Sequence, residues 1–152
     1  MRIEELAEQL KEELSHFCYK IEIAGSIRRK SSNPRDIDLV CISSNPDKLM
    51  DFIENSNGVT VLRKGDKLIS FEVGTTLVDV YFTDKEHYGA MLMFLTGPSG
   101  SNIGMRMKAK SKGYLLNQYG LYKDGKLIAS RTEEEIAEVL NYKLKPPELR
   151  GK

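Results

Sequence analysis

The chain has 152 residues, enough for a single domain that buries about two-thirds of its unfolded surface. Hydrophobic residues make up 40% of it, which excludes a disordered chain, and no apolar run reaches membrane-spanning length. The 23 basic and 22 acidic side chains nearly cancel, so any nucleic-acid surface must come from arrangement rather than excess charge.

The opening "IEELAEQLKEELSHF" spaces Ile3, Leu6, Leu10, Leu14 and Phe17 along one helix face. It is acidic, unlike a signal or transit peptide, and the expectation is a cytoplasmic, monomeric protein. "YKIEIAG" alternates as a strand ending at Gly25, and "DIDLVCIS" reads as a second strand. "NPDKLMDFIENS" is a helix with Pro46 near its start. "VTVLRKG", "KLISFEVG" and "TTLVDVYF" read as three strands between Gly-containing turns. Cys18 and Cys41 lack metal-type spacing, and Cys41, in an apolar run, reads as a buried thiol.

From about residue 85 the texture turns helical. "KEHYGAMLMFLTG" and "SNIGMRMKAKSKG" each close on a glycine suited to a C-cap. "LYKDGKLIAS" predicts a hairpin around Asp124-Gly125, and Thr132 with Glu135 has capping-box spacing. The expected fold class is α+β: a mixed sheet with helices over residues 1–84, then a small helical lobe with a β-hairpin over 85–152. The junction is a place for a cleft.

Two aspartates stand in the apolar stretch "DIDLVCIS". Alternation in a strand points Asp36 and Asp38 to one face and Ile37, Leu39 and Cys41 to the other, with the two acids about 7 Å apart. "LVDVYF" repeats the pattern, with Val78 and Val80 inward and Asp79 opposed. If the strands are neighbours, three carboxylates converge on one patch. Such a cluster repels itself and raises at least one pKa unless a cation intervenes. Mg²⁺ takes carboxylate oxygens together with waters and phosphates, and two such ions serve phosphoryl transfer. Upstream, Gly25-Ser26 is a small-residue turn whose backbone N–H groups can approach a phosphate, and Arg28 and Arg29 add cationic donors. Strand, turn, arginines and acids in succession read as a triphosphate-plus-metal site.

These residues resemble the nucleotidyltransferase superfamily: Gly25-Ser26, then Asp36-x-Asp38, then Asp79 on a later strand. "GSIRR" and "FLTGPSGSNIGMR" are closer still to the family X DNA polymerases, and the likeness runs from about residue 20 to the closing "EEEIAEVLNYKLKPPELR". The resemblance implies a palm-like sheet in which Asp36, Asp38 and Asp79 are catalytic and hold two Mg²⁺ ions, with Mn²⁺ able to substitute. It implies that Gly25, Ser26 and Arg29, with Arg28 second in rank, hold the nucleotide's phosphates. Phe94 would lie beside the incoming sugar and Asn102 at the base edge, with Gly97 in the same nucleotide-binding segment. Arg106 would contact the template, and Lys108, Lys110 and Lys112 form the best local basic strip for DNA. The family's backbone also implies a cis peptide after Gly97, which Pro98 makes easier to adopt.

Two departures stand out. Pro34-Arg35 replaces a small residue pair, and Arg35 is expected near the phosphates in compensation. Leu77 occupies a position that is commonly basic, which weakens primer-end positioning. No room is expected upstream for the N-terminal lyase domain of larger members. The expected function is a minimal DNA-directed DNA polymerase that transfers dNMP from dNTP to a primer 3′-hydroxyl, filling short gaps in DNA repair. Its partners would be gapped or primer–template DNA and dNTP, with no membrane. The alternatives are a template-independent nucleotidyltransferase acting on a nucleic-acid, protein or small hydroxylated acceptor, and a catalytically inactive nucleic-acid-binding module.

Overall fold

A computed structural model describes all residues, 1–152. Helix α1 (Ile3–Ser15) precedes β1 (Cys18–Ile23), a single helical turn α2 (Gly25–Arg28), and β2 (Ile37–Ser43). Helix α3 (Pro46–Glu54) leads into β3 (Val59–Lys64), β4 (Leu68–Val73) and β5 (Thr76–Phe82). These strands form one sheet in the order β1-β2-β5-β4-β3, antiparallel throughout except for parallel β2 and β5.

One face of the sheet is covered by α1 and α3. Ala7 and Leu14 of α1 and Leu49, Met50 and Ile53 of α3 join Ile37, Leu39, Cys41, Val78 and Val80 in a single core. Full burial of each large aliphatic side chain contributes about 1.5–3 kcal/mol. Asn45 starts α3 by accepting a hydrogen bond from the Lys48 N–H, and Pro46 supplies its first turn. The opposite face carries the side chains of Asp38 and Asp79 and is only partly covered.

That partial cover is α4 (Tyr88–Thr96), followed by α5 (Ser99–Ser111). Tyr88, Met91 and Leu92 pack on Val40, while Ala90 and Met93 face the second core. That core unites Met105 and Ala109 of α5 with β6 (Leu115–Asn117), β7 (Gly120–Lys123), β8 (Lys126–Ala129) and α6 (Glu133–Val139). A Cβ on Gly89 would collide with the Thr132 backbone, so only glycine lets α4 run this close to the start of α6. Thr132 caps α6 as its spacing predicts, accepting from the Glu135 N–H at 3.0 Å.

The expected elements are present, with three differences. The hairpin has a third strand, β6, which is only three residues long and too short to show a period. The Gly25-Ser26 turn is wound into a helical turn, and Pro147–Leu149 forms a short 3₁₀ turn. No helix is long and apolar enough to cross a membrane.

Candidate active site

Asp38 and Asp79 are Cα partners across the parallel β2–β5 ladder. Asp79 is in turn the partner of Ser70 on β4, whose hydroxyl donates to Asp79 Oδ1 at 2.5 Å. Burial pushes the Asp38 carboxyl up to about 6, and the charges of Asp79 and Asp36 push the same way against the opposing pull of Arg29. Tyr81, two residues beyond Asp79, is pushed up to about 12 by burial and by the same two strand carboxylates, against the pull of Arg63. The convergence expected of three acids is therefore partial. Asp36 is exposed, one residue ahead of β2, and no three His, Cys, Asp or Glu side chains are grouped closely enough to hold a metal ion. Like charge opposes closing the set, and a divalent cation is the partner that would relieve it. Hard carboxylate oxygens, one of them on a carboxyl with an elevated pKa, suit Mg²⁺ in chemical type.

The α2 turn abuts this pair. Gly25 is buried with φ +63°, and a Cβ there would run into the Asp38 carboxylate, so glycine serves both conformation and space. Its neighbour Ser26 is half-buried. Arg29 Nη1 donates to the Thr96 carbonyl at 2.6 Å while its charge acts on Asp38, placing a guanidinium between the acids and the Thr96–Gly97 corner. Gly97–Pro98 is cis, as the resemblance implies. Arg35 is exposed beside Asp36 in sequence.

Arg28 is revised from phosphate ligand to structural cation. Its two terminal nitrogens meet both Glu133 carboxylate oxygens at 2.8 Å, and Nη1 also donates to Thr96 Oγ1 at 2.8 Å. Arg150, buried near the C-terminus, completes the group by donating to Glu133 at 2.7 Å. Burial alone would raise the Glu133 carboxyl; hydrogen bonds from the two arginines more than reverse that and hold it below the usual range. Three of the five N–H donors of Arg28 are taken and Glu133 already neutralises its charge, which makes it a poor ligand for a phosphate.

In the second lobe, Phe94, Asn102 and Arg106 line one cleft, with Met93, Met105 and Asn117 among its other walls. Asn102 Nδ2 donates to the Phe94 carbonyl at 2.8 Å, tying the start of α5 to the end of α4. The lysine strip is split. Lys108 donates to the Asn141 carbonyl at 3.0 Å and Lys112 to the Leu140 carbonyl at 2.7 Å, satisfying the chain just past the end of α6. Lys108 is thus revised as a DNA contact, while Lys110 points into solvent. The side chains around the site that sequence reasoning misses are Ser70, Arg63, Glu133 and Arg150. Ser70 and Arg63 emerge only from strand register, and Glu133 looks like an ordinary first-turn acid.

Comparison with known proteins bears on the fold and the family. The family model for the DNA polymerase beta thumb matches residues 91–151. The chain is 31% identical to Repair DNA polymerase X of African swine fever virus, over 86% of this chain and 80% of the viral protein. It is 30% identical to DNA polymerase/3'-5' exonuclease PolX of Bacillus subtilis over 95% of this chain, which spans only 27% of that protein. Leishmania infantum polymerase beta, solved as a ternary P/T complex, shares the fold with a TM-score of 0.83 at 22% identity, over 97% of this chain and 74% of that one.

The fold and the family match together define a polymerase-type chain whose residues 91–151 are a thumb. The chain belongs to the family X DNA polymerases, and as such is a DNA-directed DNA polymerase of the repair type.

Proposed function

We propose that this chain adds single deoxynucleotides, dictated by a template, to the 3′-hydroxyl of DNA at short gaps. The observation that carries this reading is the pairing of Asp38 with Asp79 on one sheet face, directly against Gly25 of the α2 turn. In this reading residues 1–84 are the catalytic part and 85–152 read the nucleotide and template. Asp36, Asp38 and Asp79 would hold two Mg²⁺ ions, whose chemistry is to activate the attacking hydroxyl and stabilise the leaving oxygen.

The chain's own residues do the positioning. Gly25 and Ser26 offer backbone and hydroxyl donors to the phosphates, with Arg29 supplying charge. Ser70 fixes the Asp79 carboxylate. The cleft between Phe94, Asn102 and Arg106 takes the sugar and base edge, and the partners are gapped DNA and dNTP.

The test is primer extension on a one-nucleotide gapped duplex with Mg²⁺, each deoxynucleotide being offered singly against each template base. Addition only of the complementary nucleotide is the expected result. Indifferent addition would overturn templating and leave a terminal transferase.

A further inference from the structure

Arg63, a strand-borne cation on the carboxylate face, has no role in the reaction as proposed. Strand β3 pairs regularly as far as Val61 opposite Phe71, then resumes with Arg63 opposite Ser70, so one residue is extra at Leu62. A bulge of this kind reverses the alternation beyond it and re-aims the next side chain. Val59 and Val61 pack into the helix-side core, and without the bulge Arg63 would follow them there. Instead Arg63 stands opposite Ser70, Ser70 opposite Asp79, and Asp79 opposite Asp38. Four adjacent strands thus contribute one row across the catalytic face. Lys64 alternates back to the helix side, where it meets Glu54 at 2.6 Å. Arg63 is exposed and, unlike Lys64, is paired with no carboxylate.

The row has a direction. The α2 turn flanks Asp38 from the β1–β2 side, while β4 and β3 extend from Asp79 the other way. In phosphoryl transfer the attacking and leaving oxygens lie roughly in line on opposite sides of the phosphorus. A triphosphate seated at α2 therefore requires the attacking hydroxyl to enter over β4 and β3. The strand carrying that hydroxyl passes over Ser70, whose hydroxyl is committed to Asp79, and then reaches Arg63. A guanidinium is suited to a phosphodiester, which it can grip with two donors.

We infer that Arg63 binds a backbone phosphate of the primer strand close to its 3′ end. This rests on the polymerase reading above and adds to it the residue that holds the acceptor strand in register with Asp79.

The experiment measures binding and single-nucleotide extension of primer–template DNA by the full chain, using primers with one uncharged methylphosphonate at each of the last three linkages. Wild type, Arg63→Ala, Arg63→Lys and Lys64→Ala are compared. In wild type one linkage should cost about five- to tenfold in primer affinity, the worth of one charge-assisted contact. Arg63→Ala should lose the same factor, become indifferent to that linkage, and show a salt slope shallower by about one. Arg63→Lys should fall between, and KM for the nucleotide should not change. Lys64→Ala removes the same charge from the other face and should leave primer affinity unaltered. A linkage penalty that persists in Arg63→Ala, or an equal loss in Lys64→Ala, overturns the assignment while the polymerase reading stands. Failure of wild type to extend any primer would overturn both.

Discussion

Asp38 on β2 and Asp79 on β5 are direct register partners across the one parallel ladder of the sheet. Two carboxylates held side by side on a partly covered face destabilise the metal-free protein, and the proposed metal would offset their repulsion. Neutralising either should therefore separate stability from activity. Asp79→Asn is expected to lower turnover by at least about a thousandfold, as loss of a group holding the reacting centre does. In chelator it should unfold at higher denaturant, by about 1–2 kcal/mol. Parallel urea melts and single-turnover extension measure both effects.

The Asp38 carboxyl, pushed up to about 6 from an ordinary 3.8, gives the metal-free protein a particular pH response. A carboxyl whose folded pKa is raised binds its proton more tightly in the native state. Its contribution is fully present below the unfolded value and is lost as pH rises through about 6. Because the group is partly solvated, the loss should amount to about 1–2 kcal/mol. Melting curves in chelator between pH 3.5 and 7.5, wild type minus Asp38→Asn, should show this step. A flat difference would mean that burial and the neighbouring carboxylates do not raise this group.

Glu133 should behave in the opposite sense. Its carboxyl lies below the usual range, so its stabilisation is present above about 4.5 and is lost as pH falls through the lower folded value. Glu133→Ala leaves Arg28 and Arg150 facing each other without their anion and should cost about 3–5 kcal/mol at pH 7. It should also loosen the contact between α2 and the second lobe. Chemical denaturation with amide exchange across Gly25–Arg29 reads both.

In the proposed reaction Ser70 would act only through Asp79, to whose Oδ1 its hydroxyl donates. Ser70→Ala should lower kcat about five- to thirtyfold, from loss of about 1–2 kcal/mol of orientation, with little change in KM for the nucleotide. Ser70→Thr keeps the hydroxyl on a strand position that accepts β-branching, and should recover most of the rate. Equal loss in both variants would mean that packing, rather than the hydrogen bond, matters at this position.

Much of this protein is legible in its sequence alone. Period-two runs mark all five strands of the large sheet, helix periodicity marks α1, and Thr132 with Glu135 marks the start of α6. The acids on β2 and β5 stand out because a charge in an apolar strand is costly unless a partner or a ligand compensates it. All of these are local signals, carried by residues within one element.

What only the tertiary structure decided is who faces whom. Arg28 lies in a run that reads as phosphate-binding, yet it is bound by Glu133, 105 residues away, because the thumb folds back over α2. Lys108 and Lys112 look like a basic strip, yet they serve the carbonyls beyond α6. Arg63 reaches the catalytic face because of one extra residue at Leu62, and Ser70 reaches Asp79 because β4 pairs with β5 in one register. Shifting a strand by a single residue moves every side chain to the other face, and pairing over long sequence distances sets that shift. Composition and periodicity therefore determined which elements form and which residues carry charge. Register and lobe packing determined which of those charges are free to meet a nucleotide or a DNA strand.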